Sequence, residues 1–270
     1  MTQLARLVAS DIDGTLVGSS GVPSARTVHV LAAVAAHGVS IVLITGRPLR
    51  RVRPLHASGL HYPTLCCNGT LFYNPATGSS TVLHSFDEPL LVEIAARTRD
   101  AVPNIKIAFE TPYGLFRERT FPSHHDGGGQ VTAADRIEAL YAPDILKIKV
   151  RCEGMNSTEL SALLAPAMRG VAECASVGGS QVELSPEGVN KGTALAELAA
   201  AWKVERAEVA AFGDEFNDLP MLSWAGQSYV TANGHSQVQS AIGNVIGHVD
   251  EDAVAETLAA WYSVGNVAVG

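Results

Sequence analysis

The sequence is short of three things: paired cysteines, runs of basic residues and long apolar stretches. Its four cysteines, Cys66, Cys67, Cys152 and Cys174, make no C-x-x-C pair and have no histidine at zinc-ligand spacing. That argues against a disulfide framework or a structural zinc site and for reduced, mostly buried thiols, with Cys66-Cys67 in a buried strand. No apolar run reaches the ~18 residues of a membrane helix, and no basic segment followed by an apolar stretch opens the chain. Neither a membrane span nor a leader is therefore expected, and a cytoplasmic location is the default. Lys and Arg number 19 against 27 Asp and Glu, a formal charge of −8 at pH 7. With no Lys/Arg run to track a phosphate backbone, nucleic acid is not an expected partner, and no protein partner is evident. A small anion remains possible, because backbone N–H groups and local cations hold phosphates inside acidic proteins.

What is present is a chain of 270 residues, 47% hydrophobic and 17% charged, long enough for two domains. Residues 4–10 read as a short buried strand that empties into Asp11-Ile12-Asp13-Gly14-Thr15. Two carboxylates two residues apart then sit at the carboxyl edge of a sheet, where open α/β folds bind ligands. Ser24 can cap a helix over 25–37, and a strand over 39–44 ends in Thr45-Gly46-Arg47, completing a βαβ unit. A helix over 47–58 is expected to kink or end early at Pro54. A third strand, 64–67, meets a turn at Asn68-Gly69 leading into 71–73.

From about Val82 the pattern changes. Helices over 88–102, 133–141 and 157–168 and strands over 105–110, 114–119, 145–152, 171–177 and 181–184 make an inserted α+β segment, with a mobile loop at 122–129. Alternation resumes with a helix over 191–202, a strand over 208–212 and the polar stretch Gly213 to Asp218 before a helix over 219–225. Short strands at 228–230 and 245–246 flank a helix near 236–242, and Asp250-Glu251-Asp252 is expected to cap the last helix, 253–261. The fold class is α/β, with a parallel sheet in a core of residues 1–82 and 186–270 and an inserted α+β domain over 83–185.

Three strand ends deliver polar residues to one edge if the sheet is parallel, bringing Asp11, Asp13 and Asp214 together. Two like charges ~4 Å apart repel by ~4 kcal/mol at an effective dielectric of about 20, so a cation must be present or the pKa values must rise. Hard carboxylate oxygens without His or Cys point to Mg²⁺. Thr45 as hydroxyl donor and Lys191 as point charge can hold a phosphate beside the metal, leaving one carboxylate to attack phosphorus and a second to move protons. The plainer roles are a solvated lysine for Lys191 and helix capping for Asp214 and Asp218. Arg47 either contacts substrate or pairs with an acidic neighbour, and Asn68 either makes the turn or lines the site. In the inserted segment Arg117, Arg119, His124, His125, Lys147 and Lys149 are expected to be solvated rather than substrate contacts.

The motifs DIDGT (11–15), ITGR (44–47), NG (68–69), GVNKG (188–192) and GDEFND (213–218) resemble the haloacid dehalogenase superfamily of phosphohydrolases. The stretch 181–195 followed by GDEFNDLPML is similar to its Cof-type sugar phosphatases, whose large α/β cap is inserted between the second and third motifs. The resemblance implies a Rossmann-like three-layer core, with Asp11 as nucleophile forming an aspartyl-phosphate and Asp13 as general acid and base. It implies that Thr45, Gly46 and Lys191 bind the phosphoryl group, and that Asp11, the backbone carbonyl of Asp13, and Asp214 ligate Mg²⁺. Asn217 and Asp218 then support phosphate, Lys191 or metal waters. The substrate implied is a small phosphomonoester, a phosphosugar first. A phosphotransferase or sugar phosphomutase, and a non-catalytic phosphate-binding regulator, are the alternatives. The sequence departs from the family where Thr231-Ala232-Asn233-Gly234 replaces Met-Gly-Asn-Ala, which leaves the shape of that loop open.

Overall fold

The computed structural model describes residues 4–122, 129–140 and 142–265. Most of the loop expected at 122–129, including His124 and His125, lies outside them. The first part of the chain forms β1 (Leu7–Ser10), α1 (Ala25–Ala36), β2 (Ser40–Ile44), α2 (Leu49–Ala57), β3 (Thr64–Cys66), β4 (Leu71–Asn74) and β5 (Ser79–Val82). It continues with α3 (Glu88–Ala101), β6 (Lys106–Glu110), β7 (Gly114–Glu118), β8 (Gln130–Ala134), β9 (Lys147–Arg151), α4 (Ser157–Met168), β10 (Ala172–Ser176) and β11 (Gln181–Pro186). The last part adds α5 (Lys191–Ala201), β12 (Val209–Gly213), α6 (Leu219–Trp224), β13 (Gln227–Val230), α7 (Ser236–Ile242) and α8 (Ala253–Tyr262).

The first sheet has the order β13-β12-β1-β2-β3-β4-β5. Strand alternation sorts its residues onto two faces. Val8, Ile41, Leu43, Ala210 and Phe212 pack with Val30, Leu31 and Val34 of α1 and Val254 and Leu258 of α8. Leu7, Ala9, Val42, Ile44, Val209 and Ala211 pack with Ala194 and Leu195 of α5, Met221 and Leu222 of α6, and Val238 of α7. Both faces being covered is why these strands read as nearly unbroken apolar runs.

The sheet is parallel from β13 to β3, but β4 pairs antiparallel with both β3 and β5, so it is mixed rather than purely parallel. The cause is the tight turn at Cys67–Gly69, where Cys67 (φ 50°) and Asn68 (φ 59°) are left-handed and the chain reverses with no room for a crossover.

The second sheet has the order β10-β11-β9-β6-β7-β8. One face carries Ile107, Phe109, Ile148, Val150, Val182 and Leu184 against α3 and α4. The alternate positions, Glu110, Lys147, Lys149, Arg151, Gln181 and Glu183, therefore share the opposite face.

Three expectations are corrected. The helix expected over 133–141 does not form in its described part, 133–140: residues 130–134 pair in parallel with β7, and a single 3₁₀ turn, Ile137–Ala139, follows. The open edge of β7 outweighs a weak local preference. Helix α2 continues through Pro54, held by its buried Leu49, Val52 and Leu55. Asp252 precedes α8 in a left-handed conformation and makes no cap hydrogen bond. Its carboxylate instead accepts from Ser24 Oγ (2.6 Å) and Thr27 Oγ1 (2.9 Å), tying α8 to the start of α1. Among the described residues no helix is long and apolar enough to cross a membrane.

Candidate active site

Asp11 leaves β1 with its backbone N–H donating to the Phe212 carbonyl (3.0 Å), so its position is fixed from the neighbouring strand β12. The turn behind it needs Gly14. Its φ is +79°, and a side chain there would collide with the Asp214 carboxylate, which packs against the bare backbone. Asp214 follows β12 and accepts from Thr15 Oγ1 at 3.0 Å. Asp218 is buried completely, its Oδ2 accepting from the N–H groups of Asp214 (2.9 Å) and Glu215 (3.0 Å).

Lys191 is the first residue of α5. The Asn190 side chain caps that helix by accepting from the Gly192 and Thr193 N–H groups. Any side chain at residue 192 would run into the backbone of Pro220, so Gly192 lets α5 close on α6 and lowers Lys191 into the site. Its Nζ, 1% exposed, donates to Asp11 Oδ1 and Asp218 Oδ1, both at 2.6 Å. Thr45 is buried at the end of β2, its Oγ1 accepting from the Arg47 N–H at 3.1 Å. The Gly46 carbonyl accepts from Lys147 Nζ at 2.6 Å.

Oxygens of Asp11, Asp214 and Asp218 lie within 4.8 Å of one another. Burial, partly offset by Lys191 and reinforced by Asp218, raises Asp11 from 3.8 to about 7. Burial, then Asp11 and Asp218, raises Asp214 to about 9. Burial alone would lower the Lys191 ammonium, but Asp11 and Asp218 override it and raise it. The group thus holds more negative charge than Lys191 balances, on hard oxygen donors only, and this fits a divalent cation such as Mg²⁺. Because Asp218 is committed to Lys191 and two N–H groups, Asp11 and Asp214 keep the open oxygens.

Of the three carboxylates expected to meet, Asp13 is the one that turns away, and Asp218 stands in the group instead. Arg47 takes Asp13 in a two-pronged pair, Nε to Oδ2 at 2.7 Å and Nη2 to Oδ1 at 2.5 Å. Arg47 thus has the acidic neighbour that was one of its two expected roles. Asn68 both makes the turn and bridges: its Nδ2 donates to Glu183 Oε2 (2.9 Å), and its Oδ1 accepts from Asn217 Nδ2 (3.2 Å). In the divergent loop, Asn233 Nδ2 (2.7 Å) and Thr231 Oγ1 (3.1 Å) both donate to the Gly14 carbonyl. The loop thereby clamps the turn that carries Asp13.

A cavity of about 350 Å³ lies between the two sheets. Asp11, Asp13, Thr45, Gly46, Arg47, Lys191, Asp214 and Asn217 line it from the first, while Asp218 and Asn68 sit behind. From the second come residues expected to be solvated. Lys147 is 2% exposed and paired with Glu183, and Lys149 is paired with buried Glu110. Arg119 does stand on the surface, against Asp135, whereas Arg117 is half-buried and donates to the carbonyls of Glu118, Arg119 and Phe121. The alternation Lys147-Ile148-Lys149-Val150-Arg151 is the signal that could have found the inward cations, since it puts all three on one face of a strand whose other face is core.

A mixed α/β core with this carboxylate and lysine group defines a class, and the chain belongs to the haloacid dehalogenase-like hydrolase family, whose model matches residues 8–258. A curated relative, the HMP-PP phosphatase of Yersinia pseudotuberculosis serotype O:1b (strain IP 31758), is 30% identical over 268 residues, 96% of each chain. A crystal structure from Eubacterium rectale superposes with a TM-score of 0.81 at 26% identity, covering 96% of this chain and 100% of that one. One from Streptococcus mutans UA159 shares the fold with a TM-score of 0.86 at 18% identity, covering 96% and 99%.

Proposed function

We propose that this protein is a Mg²⁺-dependent phosphatase that hydrolyses a small phosphomonoester, a phosphosugar first, through an aspartyl-phosphate on Asp11. The observation that carries this reading is the buried Lys191 shared by Asp11 and Asp218 beside Asp214. Lys191 occupies one oxygen of Asp11 and leaves the other to attack phosphorus in line as the bond to the leaving oxygen breaks. The Thr45 oxygen already accepts from Arg47, so its proton is available to a phosphoryl oxygen. Asp13 gives its proton to the leaving oxygen and takes one from the water that attacks the acyl phosphate, which returns Asp13 to its protonated form and frees Asp11 as a carboxylate. To carry that proton Asp13 must part from Arg47, whose guanidinium is then free to face the phosphoryl group. Mg²⁺ held by Asp11, Asp214 and the Asp13 backbone would neutralise charge on the transferring phosphoryl oxygens.

The reading divides the chain into a core of residues 1–82 and 186–270 and a cap of residues 83–185 that closes the cavity and excludes water. It is supported by the family and by the phosphatase name of the curated relative. The test is phosphate release from a panel of sugar, nucleotide and cofactor phosphomonoesters, with Mg²⁺ and with chelator. Release that needs Mg²⁺ and falls by ~10³-fold or more in Asp11→Asn, with the fold intact, is expected. Near-parent activity in that variant would overturn the nucleophile.

A further inference from the structure

Charge divides the cavity into two ends. At the end of β1 and β12 the carboxylates of Asp11, Asp214 and Asp218 exceed Lys191. At the end built by β9 and α2 the balance reverses among the described residues. There Lys147 is matched by Glu183 and the Gly46 carbonyl, and contributes no excess. Buried Glu110 is shared by two cations, Lys149 and Arg50. Arg151 faces a neutral partner, with Nε 3.2 Å from Gln181 Oε1, and lies 5.8 Å from the Phe121 ring centre. Arg51 also lines the cavity, and among the described residues no carboxylate is within ion-pair distance of it. Lost hydration and then Arg47 lower the guanidinium of Arg51, an exposed residue, against Asp13 and Glu110, and burial and then Lys147 lower the Lys149 ammonium against Glu110 and Glu183.

We infer that the leaving group of the substrate carries a second anionic group, a phosphate or a carboxylate, received by Arg51, Lys149 and Arg151. The inference rests on the phosphatase reading above, which assigns the transferring phosphoryl group to the opposite, carboxylate-rich end. Cations that outnumber their carboxylate partners on one cavity wall are stabilised by an anion far more than by the hydroxyls of a plain sugar. Two guanidiniums and an ammonium match the flat or tetrahedral oxygens of such a group. The pairs Lys147–Glu183 and Arg47–Asp13 are already neutral and do not serve this end.

The test uses the full chain carrying Asp11→Asn, which prevents consumption of the probe. Calorimetry with Mg²⁺ compares fructose 6-phosphate, fructose 1,6-bisphosphate and 6-phosphogluconate. At least one of the two doubly anionic probes is expected to bind about tenfold or more tighter than the monophosphate, and which one does identifies the group. Adding Arg51→Met and Arg151→Met should cut that preference below about threefold, with thermal melting confirming the fold. Equal or weaker binding of both doubly anionic probes, no binding, or a preference that survives both substitutions overturns the inference. Phosphate release by the chain with Asp11 intact judges the phosphatase reading separately: release without anion preference sinks only the second site, and preference without release sinks only the phosphatase.

Discussion

Replacing Asp214 with Asn removes one buried negative charge while keeping the shape of the side chain and an oxygen to accept from Thr15. In the folded chain Asp214 is raised to about 9 and Asp11 to about 7, against 3.8 for the free side chain. Both folded values are raised, so the folded state keeps protons that the unfolded state releases above about pH 4. Stability therefore falls as pH rises from there, until about 7 for Asp11 and about 9 for Asp214. At pH 8 the interval for Asp214 is about four decades of proton affinity, each worth ~1.4 kcal/mol, a ceiling of ~6 kcal/mol. Water reaching a carboxylate on a cavity wall reduces this to roughly 2–3 kcal/mol. In chelator at pH 8, Asp214→Asn is thus expected to be more stable than the parent by about 2–3 kcal/mol, and by less than ~1 kcal/mol at pH 5. Mg²⁺ is expected to invert the order, because on the proposed reading it stabilises the folded parent but finds one ligand fewer in the variant. Urea unfolding at both pH values, with Mg²⁺ and with chelator, measures all of this. A variant less stable than the parent in chelator at pH 8, or one with the parent's full Mg²⁺ response, would refute the charge argument.

Gly14→Ala forces a side chain into a left-handed turn and into the Asp214 carboxylate, and should destabilise by ~2–4 kcal/mol and weaken the Mg²⁺ response; an unchanged urea midpoint would contradict this. Lys147→Met leaves Glu183 buried without its cation and should destabilise by ~3–5 kcal/mol, while Lys147→Met with Glu183→Gln should recover most of the loss. Additive losses in that double variant would show that the pair is not coupled.

The parallel strands of the first sheet were legible because they are buried and bounded by Gly, Ser and Asp, so β1, α1 and β2 fall within a few residues of their expected spans, whereas the mostly exposed β5 was not expected. The meeting of Asp11 and Asp214 followed from parallel strand ends, whereas Lys191, which opens α5 and ends no strand of that sheet, was placed there by the resemblance of its GVNKG motif. Strand β8 was not legible, because it exists only by virtue of the free edge of β7. Nor was the Arg47–Asp13 pair, since nothing local tells a guanidinium which acid it will meet. The burial of Lys147 and Lys149 depends on carboxylates from two flanking strands: Glu110 lies opposite Lys147 on β6, and Glu183 opposite Lys149 on β11. Such registers join residues far apart in sequence, and a strand read alone cannot reveal them.

The pairing of β1 with β12, from Leu7 opposite Val209 to Ser10 opposite Phe212, also constrains how the protein is born. On the ribosome β1 gains β2 early, but its other apolar edge stays bare until residues 209–213 emerge. The nascent chain must keep that edge from pairing with a neighbour throughout the synthesis of the second sheet. The acidic cluster is likewise incomplete until Asp218 is made, so a truncated chain ending before it has neither the full carboxylate group nor the finished sheet on which that group is mounted.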